Sequence, residues 1–95
     1  MQLAFDGALW FWRGPSPFHF VTVPEREAGL IAVLSPLVSY GWGMIPVAAT
    51  VGATLWSTAL WPKDGAYIVP IKAAVRRAEK LEVGQLVTLG LVITT

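Results

Sequence analysis

Between Glu27 and Lys63 the chain carries no charged side chain. So uncharged a stretch must either enter a membrane or fold so that most of it avoids water. A spanning helix needs about 20 consecutive, predominantly apolar residues, and Met44 to Trp61 superficially resembles one. Pro36, Gly41, Gly43, Pro46 and Gly52 break the stretch where such a helix needs continuity. Thr50, Thr54, Ser57 and Thr58 add hydroxyls, and β-branched and aromatic residues that suit a pleated surface are abundant. The segment therefore reads as strands of a water-soluble sheet. Its low charge implies a sheet covered on both faces, by helices or by another subunit.

Period-two alternation extends this reading along the chain. Leu3 to Trp12 is an expected strand, with Phe5, Gly7, Leu9 and Phe11 on one face and Asp6, Ala8, Trp10 and Trp12 on the other. Arg13-Gly14-Pro15-Ser16 is turn chemistry, and Phe18 to Val23 returns as a second strand. Pro24, Glu25 and Glu27 suit a helix start, Leu30, Ile31 and Leu34 its buried stripe, and Ser35-Pro36 its end. Leu37 to Gly43 is expected to be a loop. Met44–Val51 and Thr54–Trp61 form a second hairpin through Gly52-Ala53, where Gly52 suits a type II′ turn. Asp64-Gly65 marks a further turn before a short strand, Tyr67 to Ile71. A helix follows over Lys72 to Lys80, then a closing strand over Gln85 to Thr94. Phe20-Val21-Thr22-Val23-Pro24 and Tyr67-Ile68-Val69-Pro70-Ile71 each run extended to a proline and then into a helix, which suggests two similar halves. The expected fold is mainly β: one domain, residues 1–95, a small barrel of six to seven strands with two short helices and two pseudo-symmetric halves.

Several of these segments also carry a resemblance. Trp10, the run Phe20-Val21-Thr22-Val23-Pro24, Gly41-Trp42-Gly43 with Pro46-Val47, Trp56-Ser57-Thr58-Ala59-Leu60, and Tyr67 to Ala78 (YIVPIKAAVRRA) are similar to the family known as domain of unknown function 1905. The likeness runs from Phe5-Asp6-Gly7 to Leu91. It implies a closed double-split β-barrel around a pseudo-twofold axis, the fold type of AbrB/MazE-type DNA-binding dimers. It implies no activity.

Composition narrows function mainly by exclusion. Hydrophobic residues make up 55% of the chain, with five tryptophans, so the chain lacks the signature of disorder. A net charge of +1 supplies no global field for nucleic acid or anionic lipid. The absence of cysteine excludes disulfides and thiolate metal sites. Met1 to Trp12 lacks the pattern of a signal peptide, so a cytoplasmic location without membrane attachment is the expectation.

Catalytic chemistry is hard to find. His19 is the sole histidine and has no nucleophile motif beside it. Asp6, Glu25, Glu27, Asp64, Glu79 and Glu82 form no obvious acid–base pair, and no metal set or cofactor motif is legible. Catalysis would have to rest on His19 or Arg77 beside a carboxylate brought near by the fold. Two surfaces remain. Trp10, Trp12, Trp42 and Trp61 are candidates to line a ligand cleft or partner surface, because aromatic walls with few polar groups suit such sites. Lys72, Arg76 and Lys80 fall on one face of an ideal helix and, with Arg77, are candidates to hold an anionic group or nucleic-acid phosphates. The reading is a non-enzymatic small-ligand or protein-interaction module using the aromatic surface. The alternative is a nucleic-acid-binding domain using the basic helix, by analogy with AbrB/MazE-type barrels, and self-association remains open.

Overall fold

A computed structural model describes residues 1–14 and 18–94. Its elements are β1 (Gln2–Trp12), β2 (Phe18–Thr22), α1 (Glu25–Val38), β3 (Ile45–Val51), β4 (Thr54–Lys63), β5 (Ala66–Pro70), α2 (Ala73–Glu79) and β6 (Leu86–Val92). Among the described residues the six strands close into an antiparallel barrel in the order β1-β2-β5-β4-β3-β6. The turn expected over Arg13 to Ser16 falls partly on residues 15–17, outside the described ones.

The two longest strands each serve two walls. In β1, Gln2–Ala8 pair with β6 and Leu9–Trp12 with β2. In β4, Thr54–Leu60 pair with β3 and Trp61–Lys63 with β5. Near the point where β1 passes from β6 to β2, Val21 packs close to its backbone and Gly7 provides the room, since a Cβ there would meet the Val21 side chain at 2.6 Å.

Exchanging β1, β2, α1, β3 with β4, β5, α2, β6 leaves every pairing unchanged, which is a pseudo-dyad. Its register is set by two reciprocal hydrogen bonds, Val23 N–H to Tyr67 O at 2.9 Å and Ile71 N–H to His19 O at 2.8 Å. This register corrects the repeat read from sequence by one residue. Val23 is equivalent to Ile71 and Pro24 to Lys72, the residues that precede the two helices. Pro70 lies inside β5 and is not the counterpart of Pro24. The shared pattern is real, but the prolines are not its fixed point.

Alternation fills the interior as expected: Phe5 and Leu9 from β1, Val47 and Ala49 from β3, Trp56 and Leu60 from β4, Leu89 and Leu91 from β6. The dyad carries Phe5 and Leu9 onto Trp56 and Leu60. Ile31 of α1 and Val75 of α2 join the same cluster. The part of the uncharged stretch from Met44 to Trp61 is thus a strand hairpin, and no helix of the described residues is long and apolar enough to cross a membrane.

Three expectations need correction. The first helix passes through Pro36 and ends at Val38. A proline near a helix end removes only one internal hydrogen bond, and Ser39 N–H still closes on Ser35 O at 2.9 Å. Leu30 is not in the buried stripe, which is Ala28 and Ile31 with Leu34 packed beside them. The two helices do not cover the sheet's outer face either, because Leu55, Leu86 and Val92 remain exposed there.

Candidate functional site

The barrel wall formed by β2, β5 and the ends of β1 and β4 has apolar side chains on both faces. Val21 and Val69 point into the interior, while Phe20 and Ile68 are buried outside that cluster. What buries Phe20, only 1% exposed, is a layer of rings: Trp10 at 5.2 Å, Trp61 at 5.1 Å and Phe18 at 5.9 Å between centroids. Phe18 and Trp61 also meet edge to face at 5.3 Å. Such tilted pairs contribute about 0.5–1.5 kcal/mol beyond the area they bury.

Register explains the arrangement. Trp10 stands opposite Phe20 and Trp61 opposite Ile68, so the dyad exchanges Trp10 with Trp61 and Phe20 with Ile68. A cleft of about 170 Å³ runs across this axis, walled by Trp10, Trp12 and Trp61 and floored by Phe20 and Ile68, with Lys63 at its rim. Trp10 is fixed by its Nε1–H, which donates to Thr22 Oγ1 at 2.9 Å. The Trp12 indole lies against Gly14, where a Cβ would approach the ring to 2.6 Å. Lys63 Nζ is 3.3 Å from Asp64 Oδ2 within an exposed turn, a pairing too solvated to hold it firmly.

Three of the four candidate tryptophans therefore converge. Trp42 does not: it sits 96% exposed in the turn after α1, away from the cleft lining. Trp56, the fifth, is an interior residue whose Nε1 has no partner among the described residues. Phe20, Ile68 and Lys63 were missed by sequence reasoning. The available signal was Phe18 and Phe20 at alternate positions beside a strand already rich in tryptophan.

The basic residues do not form the single face expected of them. Helix α2 spans only Ala73–Glu79, so Lys72 precedes it in extended conformation and Lys80 follows it in the left-handed region at φ 54°. Ala74 and Ala78, on the side of the helix away from these residues, are exposed as well, and the buried residue of the helix is Val75. Arg76 is half-buried and donates from a guanidinium nitrogen to Ile71 O at 2.6 Å. Burial first, and the neighbouring Arg77 second, push its pKa down. The carboxylates have local structural tasks: Asp6 accepts from Thr88 Oγ1 at 2.6 Å and Glu79 from Thr54 Oγ1 at 2.6 Å.

The His19 ring lies tilted against Phe11, 4.8 Å between centroids, and its pKa lies below the ordinary 6.5, through burial first and the charge of Arg76 second. The folded state therefore resists a proton that the unfolded chain accepts. The stability this group confers is full above the unfolded pKa and is lost as pH falls through the folded one. Urea unfolding between about pH 5 and 8 should show that acid-side loss, and His19→Asn should flatten it. An unchanged slope in the variant would contradict the assignment.

These features define the class: a small double-split β-barrel whose pseudo-dyad runs through an aromatic cleft. The chain belongs to the family described as domain of unknown function DUF1905, whose sequence profile matches residues 5–91. No curated protein matches it.

Proposed function

We propose that the domain is a cytoplasmic, non-enzymatic binding module that receives a small planar, apolar group in the Trp10–Trp12–Trp61 cleft. The carrying observation is that three tryptophans stay partly exposed around a concave floor of Phe20 and Ile68. Apolar rings held open to water are stabilised by whatever flat group covers them. Size argues for a small ligand over a protein surface: the cleft holds about 170 Å³, and a dry cavity of about 150 Å³ takes one benzene ring. Charge argues against a quaternary ammonium, which aromatic cages otherwise favour, because the ionisable residue of the lining is the cation Lys63. Neutral or weakly anionic aromatic compounds fit best.

Titration with indole, naphthalene and tetramethylammonium, read by tryptophan fluorescence, tests this. The two aromatic compounds should give saturable changes and the cation none. Trp61→Ala should weaken binding roughly 10-fold, the equivalent of one aromatic contact. If neither aromatic compound saturates the wild-type signal, the reading is wrong.

A further inference from the structure

We propose that a second cleft, between the β1–β2 hairpin and the start of α2, binds a small organic anion: a carboxylate or phosphate group carried on an aryl or short alkyl body. It is a separate site and does not rest on the aromatic cleft. Its volume is about 430 Å³, with His19, Lys72 and Arg76 providing polar donors and Phe11, Phe18 and Pro70 apolar walls. No carboxylate lines it.

The positive charge of this cleft is unbalanced. Arg76 is half-buried, its one protein hydrogen bond is to the neutral Ile71 carbonyl, and no carboxylate reaches it within ion-pair distance among the described residues. Partly desolvated guanidinium groups are ordinarily paired. Lys72 stands four residues before it in sequence and lines the same cleft, and the His19 ring lies within the field of Arg76. The remaining donors of the guanidinium suit bidentate contact with a carboxylate or phosphate. Phe11 and Phe18 then favour an anion with an apolar body over a bare one.

The pseudo-dyad supplies an internal control. The equivalent strand-to-helix junction in the other half encloses its own cleft, lined in part by Thr22, Val23, Pro24 and Ala28. There Pro24 replaces Lys72, Ala28 replaces Arg76 and Tyr67 replaces His19. The same backbone junction is built without a cation at any of these positions, so the fold does not require them. The other cleft carries the carboxylates Glu25 and Asp64 instead, so a cluster of groups able to bear positive charge occurs in one copy alone and is best explained by what it binds.

The chain has one histidine, so its imidazole resonance is a single-site reporter. Proton NMR of wild-type protein should show a saturable displacement of that resonance by benzoate or phenyl phosphate, with the His19 pKa rising in the complex. The charged groups facing His19 are Lys72 and Arg76 of the α2 segment, while Phe11 covers it from β1. Binding should therefore tighten as His19 gains its proton. Arg76→Gln and Lys72→Gln should each weaken it about 10-fold, the worth of one charge-assisted hydrogen bond. Arg77→Gln and Trp61→Ala should leave it unchanged, which separates this site from the aromatic cleft. Should Arg76→Gln fail to fold, Lys72→Gln decides. No saturable displacement by either anion overturns the proposal. So does an equal response to inorganic phosphate, which would remove the role of the apolar walls. Tighter binding of a single-stranded oligonucleotide, with a steep salt dependence, would overturn it in favour of nucleic acid.

Discussion

Replacing Phe20 with alanine should lower the unfolding free energy by about 3–5 kcal/mol, as large as the loss of any interior aromatic. This is notable for a side chain on the outside of a barrel wall. Phe20 is 1% exposed and touches three aromatic rings, so truncation leaves Trp10, Phe18 and Trp61 without their common support. The hole would not collapse easily, because Trp10 is tied to Thr22. Urea unfolding followed by tryptophan fluorescence measures the loss, and a red-shifted native spectrum should accompany it. Phe20→Leu should cost much less and retain the fold, which makes it the better variant for ligand titration. A loss below about 1 kcal/mol for the alanine variant would mean that the rings form a loose surface cluster and not a second small core.

Gly52→Val is the other severe change, for a reason rooted in backbone and not in burial. Gly52 holds φ 55° at the first central position of the β3–β4 turn, and Ala53 does not take a positive φ. That agrees with the type II′ turn read from sequence. A β-branched residue in this region is strained by about 1–3 kcal/mol. Any Cβ would also run into the Glu79 carboxylate, which accepts a hydrogen bond from Thr54 and so ties α2 to the hairpin. Losing that charge-assisted bond adds about 1.5–3 kcal/mol. Together these effects should lower Tm by more than about 10 °C in a domain this small. Gly52→Asn separates the two contributions, since asparagine tolerates left-handed backbone but still displaces Glu79. Equal melting of both variants would assign the whole effect to Glu79.

What the sequence makes legible follows the same division between local and non-local physics. Hairpins were legible because they are local. Asp64-Gly65 takes φ 51° and 78°, the two positive values that a type I′ turn needs, and joins β4 to β5 as expected. In β1, alternation separated the face of Phe5 and Leu9, which is buried, from that of Asp6 and Ala8. The site was legible only in part, because a cleft depends on which strands become neighbours. Nothing in the sequence near Phe20 says that Trp61, far along the chain, will lie over it; the β2–β5 and β4–β5 registers decide that. Trp42 illustrates the reverse error. Its glycine neighbours suggested a ligand loop, yet no strand brings it to the other tryptophans. For α2, ideal helical spacing put Lys72, Arg76 and Lys80 on one face, but the helix is too short to contain all three. Spacing rules apply only between helix ends, and here those ends are the extended Lys72 and the left-handed Lys80.

Barrel closure also limits how anything can attach. Closure gives every strand two neighbours, but β1 and β4 meet theirs along different parts of their length, so an extended peptide would find unpaired main-chain edge only beside those splits. Elsewhere, capture of a partner must proceed through side chains, and so discontinuous an edge should blunt strand-to-strand polymerisation of a surface that otherwise displays so much grease.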